Sequence, residues 1–305
     1  GPHPMAEILD IETTAAMKVP GVEAIFTYKD VPQTRFTLAG QSYPEPSQSD
    51  ALILDKWVRY VGDEVALVVA KDEKTALKAM PLIKVTYDVK EPVLDPLKAI
   101  DHPTVVHPEE DVHFNVPFKH DLKRNIAVSY NKTVGDIEAS LAQCKYGVER
   151  EYTNQAAIHN AMETFRSFAY IDHLGRVVIT SSTQIVFHTR RHIARALGIP
   201  SSKIRVIKPR IGGGFGSKQT ACTEILNAFV TWKLGKPSVI IYDRHEANTC
   251  STTRHRRDWK IRVGADEEGY IRVIDMHAIT DAGAHGTHAF TTTTAGEHKS
   301  VPLYN

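Results

Sequence analysis

The stretch best suited to chemistry is a glycine-rich loop, Ile-Gly-Gly-Gly-Phe-Gly-Ser-Lys-Gln, at residues 211–219. Its four glycines lack Cβ atoms, so the backbone can take positive φ angles and bring amide N–H groups close to a polar ligand. A hydrophobic strand is predicted before the loop and a helix after it, and such a junction suits an anion or a polar cofactor. The pattern predicts a ligand cradle, with a tight turn between strand and helix as the alternative.

Two familiar glycine loops fit this stretch poorly. A Walker A loop starting at Gly212 needs Gly-Lys followed by Ser or Thr, but the chain has Ser217, Lys218 and Gln219 there. A dinucleotide fingerprint needs Gly or Ala at 217, and no clear acidic strand end follows about twenty residues later. Neither kind of nucleotide site is indicated.

The run Gly-Gly-Gly-Phe-Gly-x-Lys resembles the signature of the molybdenum hydroxylases, the family of xanthine dehydrogenase, aldehyde oxidase and relatives, and in particular their molybdenum-binding subunits. The resemblance extends over nearly the whole chain. Further segments that resemble the family, in the same order, are residues 60–70, 181–184, 197–200, 253–255 and 281–284. Several spaced motifs in order are more specific than one loop.

The resemblance implies a role for individual residues. The residues implied to bind the cofactor are Gln184, Gly213, Gly214, Phe215 and Gly216. Of these, Gln184 and Phe215 are implied to surround the molybdenum, since the Gln184 amide can donate to a metal oxo group. A helix-capping or strand-end amide is the alternative for Gln184, and a core anchor for the loop is the alternative for Phe215.

Gln219 is implied to bind substrate, because animal purine-oxidising relatives carry a glutamate at that position. An amide both donates and accepts hydrogen bonds whereas a carboxylate only accepts, so purine orientation is expected to differ. Some bacterial members resemble this chain in having Gly-x-Lys-Gln, which favours xanthine or hypoxanthine as substrate. The alternatives are an aldehyde, nicotinate or an aromatic thioester, or a non-catalytic assembly module.

The implied activity is oxidation of an electrophilic ring carbon with oxygen derived from water. The implied cofactor is molybdenum–molybdopterin in its cytosine dinucleotide form, with electrons leaving through 2Fe-2S centres to FAD on partner chains or domains. The rest of the molybdenum subunit is a further expected partner. No catalytic residue is assigned in this sequence, because the family's glutamate general base belongs to its carboxyl-terminal part, beyond the aligned residues.

Four other residues of family-like segments have structural readings as well. Lys218 belongs to the loop motif, and an exposed ammonium at the helix start is an equal alternative. Glu163 lies in a segment implied to be near the active region, although an ion-pair role is favoured. Arg254 and His255 are interpreted as structural.

The composition of the 305-residue chain is that of an ordinary globular protein. Lys plus Arg (37) nearly balances Asp plus Glu (36), so neither nucleic acid nor an acidic surface is expected as a partner. The three cysteines are widely spaced and odd in number, which fits a reducing cytoplasm. They are Cys144, Cys222 and Cys250. No apolar run reaches the roughly 18 residues of a membrane span, so none is expected.

The predicted fold class is α+β (mixed α/β). By resemblance, residues 1–97 form a hammerhead-like α/β domain and residues 133–305 the first, incomplete half of a molybdopterin-binding domain. Residues 98–132 are predicted to be a linker, because prolines interrupt this part of the chain. Its histidines follow no metal-ligand spacing and are predicted to be solvated. They are His102, His107, His113 and His120.

Hydrophobic periodicity places the main elements. A strand at 65–70, a helix at 73–80 and a strand at 83–87 predict a βαβ-like unit, whose first strand is covered on both faces. A hairpin is predicted at 168–182. After it come a helix at Val186–Leu197, a strand at Ile204–Ile207, the glycine loop, a helix at 220–234, a strand at 239–242 and a hairpin at 259–279.

Overall fold

The computed structural model describes residues 1–301, so the last four residues of the predicted 133–305 region lie outside it. The described part is a mixed α+β structure. Its strands, β1 to β16, are Ala6–Glu12, Val22–Phe26, Gln48–Ser49, Trp57–Val58, Leu67–Ala70, Lys84–Val89, His113–Phe114, Lys119–Asp121, Ile126–Ser129, Tyr146–Asn154, Arg166–Ile171, Val177–Ser181, Ile204–Ile207, Ser238–Ile241, Arg257–Ala265 and Ile271–Thr280. Its helices, α1 to α7, are Thr14–Met17, Glu73–Ala79, Ile137–Gln143, Val186–Leu197, Thr223–Leu234, Arg244–Thr249 and Ala289–Ser300.

A four-stranded sheet of order β13-β12-β11-β14 supports the glycine loop. β12 runs parallel to β13 and antiparallel to β11, and β14 pairs with the other side of β11. β12 is buried almost throughout because α5 packs on it. The predicted hairpin of β11 and β12 is confirmed, as are the predicted bounds of α4 and β13.

Helix α5 follows the glycine loop and is largely buried in the centre of the molecule. Its buried Asn227 is satisfied, since the side-chain amide donates to Ser167 O at 3.0 Å and Ser238 O at 3.3 Å. The helix ends at Gly235, whose φ of 67° suits a left-handed C-cap. The loop thus connects the edge strand β13 to a buried helix.

The amino-terminal region contains two small sheets, β4-β1-β6 and β2-β5. The predicted βαβ-like unit is therefore wrong, because β5 pairs antiparallel with β2 whereas β6 pairs with β1 in the other sheet. The continuous apolar run of β5 marks a half-buried strand of a two-stranded sheet rather than one covered on both faces. Helix α2 is capped by Asp72, whose side chain accepts from the Thr75 amide at 2.8 Å.

One hydrophobic core crosses from this region to the helices around the glycine loop. Phe26, Phe36 and Leu54 share it with Ile225 and Phe229 of α5. The rings of Phe26 and Phe229 meet edge to face with centroids 5.1 Å apart. Burying these side chains in one cluster fixes the amino-terminal region against α5.

Residues 98–132, the predicted linker, contact the amino-terminal region, since β7 pairs with β3. His113 and His120 are exposed, as predicted for this segment. His107 corrects that prediction, because its side chain is only 7% exposed and its Nε2 lies 2.7 Å from Ala284 O. A local sequence pattern could not show this, since Ala284 lies 177 residues away.

Candidate functional site

The glycine loop has an unusual backbone. Gly213 and Gly216 have φ of 97° and 99°, which favour glycine, and Phe215 has φ of 53° despite its side chain. Backbone strain of this kind is often found at functional sites. The Phe215 side chain is 66% exposed, so its predicted alternative role as a core anchor is wrong. The loop instead presents an aromatic ring to its surroundings.

An ion pair lies beneath the loop. Lys218 Nζ is 2.8 Å from Glu163 Oε2, and the Lys218 side chain is only 1% exposed, so its reading as an exposed ammonium is wrong. The same carboxylate oxygen accepts the Gly212 amide at 2.7 Å. Burial opposes ionisation of Glu163, but the hydrogen bonds from Lys218 and Gly212 and the charge of Lys218 lower its pKa. One carboxylate therefore holds both ends of the loop.

Gln184 lies directly against the loop. Its backbone amide donates to Lys218 O at 2.8 Å, and its side-chain Oε1 accepts from the Gly216 amide at 3.2 Å. Because the Gly216 N–H requires an oxygen, the side-chain orientation is set, and within residues 1–301 the Nε2 group donates to no partner. The residue at the N-cap of α4 is Ile185, so Gln184 does not cap that helix.

Three consecutive loop amides are free to bind a ligand. Among the described residues, the N–H groups of Gly213, Gly214 and Phe215 donate no hydrogen bond. Gly214 is buried, and buried backbone donors are normally paired, so its free N–H between two others at a strained turn suits a ligand rich in oxygen atoms. With the free Gln184 amide, they fit the polar end of a molybdenum–pterin cofactor.

Gln219 lies at the far end of the loop and is half-buried. Its Oε1 lies 3.4 Å from Nε2 of Gln41, a residue of the amino-terminal region that no sequence motif singled out. The backbone packs tightly here, since a Cβ on Gly40 would lie 2.2 Å from Gln219 O. The Gly40 amide donates to Nε2 of His288 at 2.8 Å, and burial lowers the pKa of His288 to about 4. A neutral imidazole thus helps to position this edge of the site.

Arg254 and His255 each make a contact with the backbone of another segment. Arg254 forms an isolated antiparallel bridge with Ala157. Nδ1 of His255 lies 2.9 Å from Asp281 O. The structural role of both residues stays a prediction.

A cavity of about 430 Å³ lies beside the start of α5, and residues 212–219 do not line it. Glu64 lines this cavity and accepts a hydrogen bond from the Tyr242 hydroxyl at 2.8 Å. Burial, and then the charge of Asp63, raise the pKa of Glu64 to about 7, against the opposing effect of the Tyr242 bond. The other titratable groups that act on Glu64 or face it are Gly1, Tyr60, Cys222 and Cys250.

This carboxyl predicts a pH dependence of stability. The folded protein holds the Glu64 proton up to about pH 7, whereas the unfolded chain releases it near 4.5. The proton therefore stabilises the fold at acid pH, and this contribution, about 3 kcal/mol, is lost as pH rises from about 4.5 to 7. We expect Glu64→Gln to remove this loss, which urea unfolding of both proteins at pH 5 and pH 8 measures.

Glu267→Gln, at an exposed turn, is the matched control for this experiment. An equal pH slope in the Glu64→Gln variant and the unsubstituted protein would show that Glu64 is already ionised in the folded state.

Within residues 1–301, no helix combines the length and apolar character that crossing a bilayer requires.

Two family profiles together match most of the chain. The profile described as molybdopterin cofactor-binding domain matches residues 118–305. The profile described as aldehyde oxidase and xanthine dehydrogenase, a/b hammerhead domain, matches residues 1–91.

Curated relatives align with nearly the whole chain. "Probable hypoxanthine oxidase XdhD" of Escherichia coli K12 is 35% identical over 99% of this chain and 34% of its own length. The xanthine dehydrogenase molybdenum-binding subunit of Escherichia coli O157:H7 is 32% identical over 97% of this chain and 38% of its own. The nicotinate dehydrogenase large molybdopterin subunit of Eubacterium barkeri is 27% identical over 93% of this chain and 63% of its own. The chain thus spans about a third of the first two relatives.

Solved structures have the same fold. Aldehyde oxidoreductase from Desulfovibrio gigas matches with a TM-score of 0.77 and 23% identity over 92% of this chain and 30% of its own. Quinoline 2-oxidoreductase from Pseudomonas putida 86 matches with a TM-score of 0.75 and 24% identity over 93% of this chain and 35% of its own.

Proposed function

We propose that the glycine loop of this chain, which belongs to the aldehyde oxidase and xanthine dehydrogenase family, holds the molybdenum–pterin cofactor of a purine hydroxylase. The family resemblance and the mixed α+β fold predicted from the sequence are both confirmed. The observation that carries the proposal is the row of free amides at Gly213, Gly214 and Phe215 beside the Gln184 side chain.

Several residues of the loop and its neighbours have a proposed task. When bound, the cofactor supplies two-electron oxidation of substrate with oxygen from water. The free amides and the Gln184 Nε2 group donate to its oxygen atoms, and Phe215 and Gly216 pack beside it. The pair of Glu163 and Lys218 keeps these donors in place before the cofactor arrives, which avoids reorganisation on binding.

Gln219 is proposed to contact the purine. The two relatives named for hypoxanthine and xanthine support this substrate class. The half-buried Gln219 amide, beside Gln41, can both donate to and accept from the polar edge of a heteroaromatic ring. The general base is proposed to come from residues outside this sequence, because the family's glutamate base lies in a carboxyl-terminal part that does not align with this chain.

The partners and the location are proposed on the same basis. Relatives named as large subunits support partner chains that carry 2Fe-2S and FAD, and the cytosine dinucleotide form is proposed for the pterin. The division into 1–97, 98–132 and 133–305 is retained as a proposal. The three cysteines are free thiols in the described part, which supports the cytoplasm.

The purine proposal makes a kinetic prediction. We expect Gln219→Ala in the assembled enzyme to lower kcat/KM for hypoxanthine or xanthine several-fold, because one lost hydrogen bond typically costs about 0.5–1.5 kcal/mol. Gln219→Glu should change the ranking of purines, since a donor is replaced by an acceptor. Steady-state kinetics with molybdenum content measured in parallel test both variants.

Gln143→Ala, on the exposed face of α3, is the matched control. Unchanged purine kinetics in both Gln219 variants, with molybdenum retained, would remove Gln219 from the substrate site. Turnover of nicotinate or an aldehyde would then favour the alternative substrates, for which the relative named for nicotinate is the supporting observation. A purified subunit without molybdenum would instead favour a non-catalytic assembly module.

A further inference from the structure

A second cluster of potential ligands lies apart from the glycine loop, where three segments of the chain meet. Asp50, His107 and His285 each offer one ligand atom, and these atoms lie within 4.8 Å of one another. Asp50 Oδ1 is 3.5 Å from His285 Nδ1, and Asp50 Oδ2 is 3.9 Å from His107 Nε2. Asp50 follows β3, His107 lies between β6 and β7, and His285 lies between β16 and α7.

The cluster contains buried polar atoms without hydrogen-bond partners. Within the described residues these atoms are Asp50 Oδ1, His107 Nδ1, Glu109 Oε2 and His285 Nδ1. Buried polar atoms are normally paired, and each orphan destabilises the fold. Asp50 Oδ1 faces His285 Nδ1 at 3.5 Å and His107 Nδ1 faces Glu109 Oε2 at 3.6 Å, so each pair is slightly too long for a hydrogen bond. An ion between Asp50 and His285 would pair both of their atoms.

The carboxylates around the cluster have different partners. Asp55 and Glu109 are paired with Arg59. Asp50, whose side chain is 1% exposed, has no arginine or lysine within 4 Å in residues 1–301 and faces only the two imidazoles. The cation that a buried carboxylate normally faces can here be a protonated imidazole or a metal ion held by the imidazoles.

We propose that Asp50, His107 and His285 bind a divalent transition metal ion, for which Zn²⁺ is the best match. Zn²⁺ accepts imidazole nitrogen and carboxylate oxygen at about 2.0–2.2 Å and imposes no electronic preference on geometry. The Asp50 to His285 distance of 3.5 Å already suits two ligands of one ion, while His107 must approach and exchange its bond to Ala284 for the ion.

The surroundings of the cluster match those of ligands in known zinc sites. A ligating imidazole usually donates its other N–H to a carboxylate or carbonyl. With the ion on His107 Nε2, Nδ1 can donate to Glu109 Oε2, which lies 3.6 Å away. Glu109 is held in turn by Arg59, and Asp50 Oδ2 accepts the Gly286 amide at 2.8 Å.

The ion would have a structural role. It would fasten the segment after β3, the segment before β7 and the loop before α7 to one another. None of its ligands contacts the glycine loop, so it acts separately from the proposed molybdenum site.

The test uses the full-length molybdenum subunit, freed of exchangeable metal by a chelator and then titrated with Zn²⁺ or Co²⁺. We expect about one Zn²⁺ per chain by mass spectrometry, a Tm that rises with Zn²⁺ concentration, and Co²⁺ absorption bands typical of mixed nitrogen and oxygen ligands. His107→Gln and His285→Gln should each abolish the Zn²⁺-dependent rise in Tm. His173→Gln, at an exposed hairpin turn, should keep it.

Several results would overturn the proposal. One is an unsubstituted subunit that binds no Zn²⁺ and gives no Co²⁺ bands, which would mean that the imidazoles themselves balance Asp50. Another is equal Zn²⁺ binding by the His107→Gln and His285→Gln variants, which would place the ion elsewhere. If those variants fail to fold, the Co²⁺ titration of the unsubstituted subunit decides alone. Molybdenum content is measured separately, so failure of this site leaves the proposed function untouched.

Discussion

Replacing Gly214 with valine is expected to deprive the protein of its molybdenum cofactor while the fold is kept. A Cβ at this position would lie 2.4 Å from Oε1 and 2.7 Å from Cδ of Gln184, so the glutamine side chain must move away. The Gly216 amide then loses its acceptor, and the free Gln184 amide loses its orientation. Overpacking of this kind typically costs about 1–3 kcal/mol, and each 1.4 kcal/mol weakens binding about tenfold.

The measurement is molybdenum and pterin content per chain of the purified subunit, with circular dichroism to monitor the fold. Gly147→Val is the matched control, because a Cβ there meets no atom within 4 Å and a valine suits a strand. Full pterin occupancy in the Gly214→Val protein would show that the loop is only a turn.

Replacing Lys218 with methionine is expected to produce the largest loss of stability. Removing one partner of a buried ion pair leaves an uncompensated charge and typically costs about 3–5 kcal/mol. Glu163 is 20% exposed and Arg166 lies 3.8 Å from its other oxygen, so we expect about 2–4 kcal/mol here. Urea unfolding of the substituted and unsubstituted proteins measures the difference.

A second substitution separates charge from packing. In Lys218→Met/Glu163→Gln, the neutral amide oxygen can still accept the Gly212 amide, so much of the lost stability should return. Lys233→Met, on an exposed part of α5, is expected to change little. An unfolding midpoint unchanged by Lys218→Met would mean that the buried ammonium contributes nothing to the fold.

Local sequence patterns predicted an element correctly where residues close in sequence stabilise it. Helix α4 and strand β13 have the predicted bounds because their hydrophobic spacing matches helix and strand periods. The prediction of a βαβ-like unit was wrong because strand pairing depends on segments that are distant in sequence. Strand β6 pairs with β1, about 75 residues away, and not with β5. Strand β1 was not predicted at all, since its short alternating run is weak without that partner.

In the candidate site, too, local features were predicted from the sequence and long-range contacts were not. The glycine loop itself was evident, because four glycines around one aromatic residue form a local signal. The burial of Lys218 was not, since its partner Glu163 lies 55 residues earlier in the chain. The exposure of Phe215 was equally hidden, because it depends on a backbone angle that residue type alone disfavours.

The shared core has a consequence for how such proteins can diversify. A domain that can be exchanged between proteins has a hydrophobic core made only of its own residues. Here Phe26 and Phe36 share their core with side chains of α5. Exchanging residues 1–97 between relatives would transplant one side of a packed interface without the other. The two regions are therefore packing partners, and we expect the effects on stability of substitutions at Phe26 and Phe229 to be coupled.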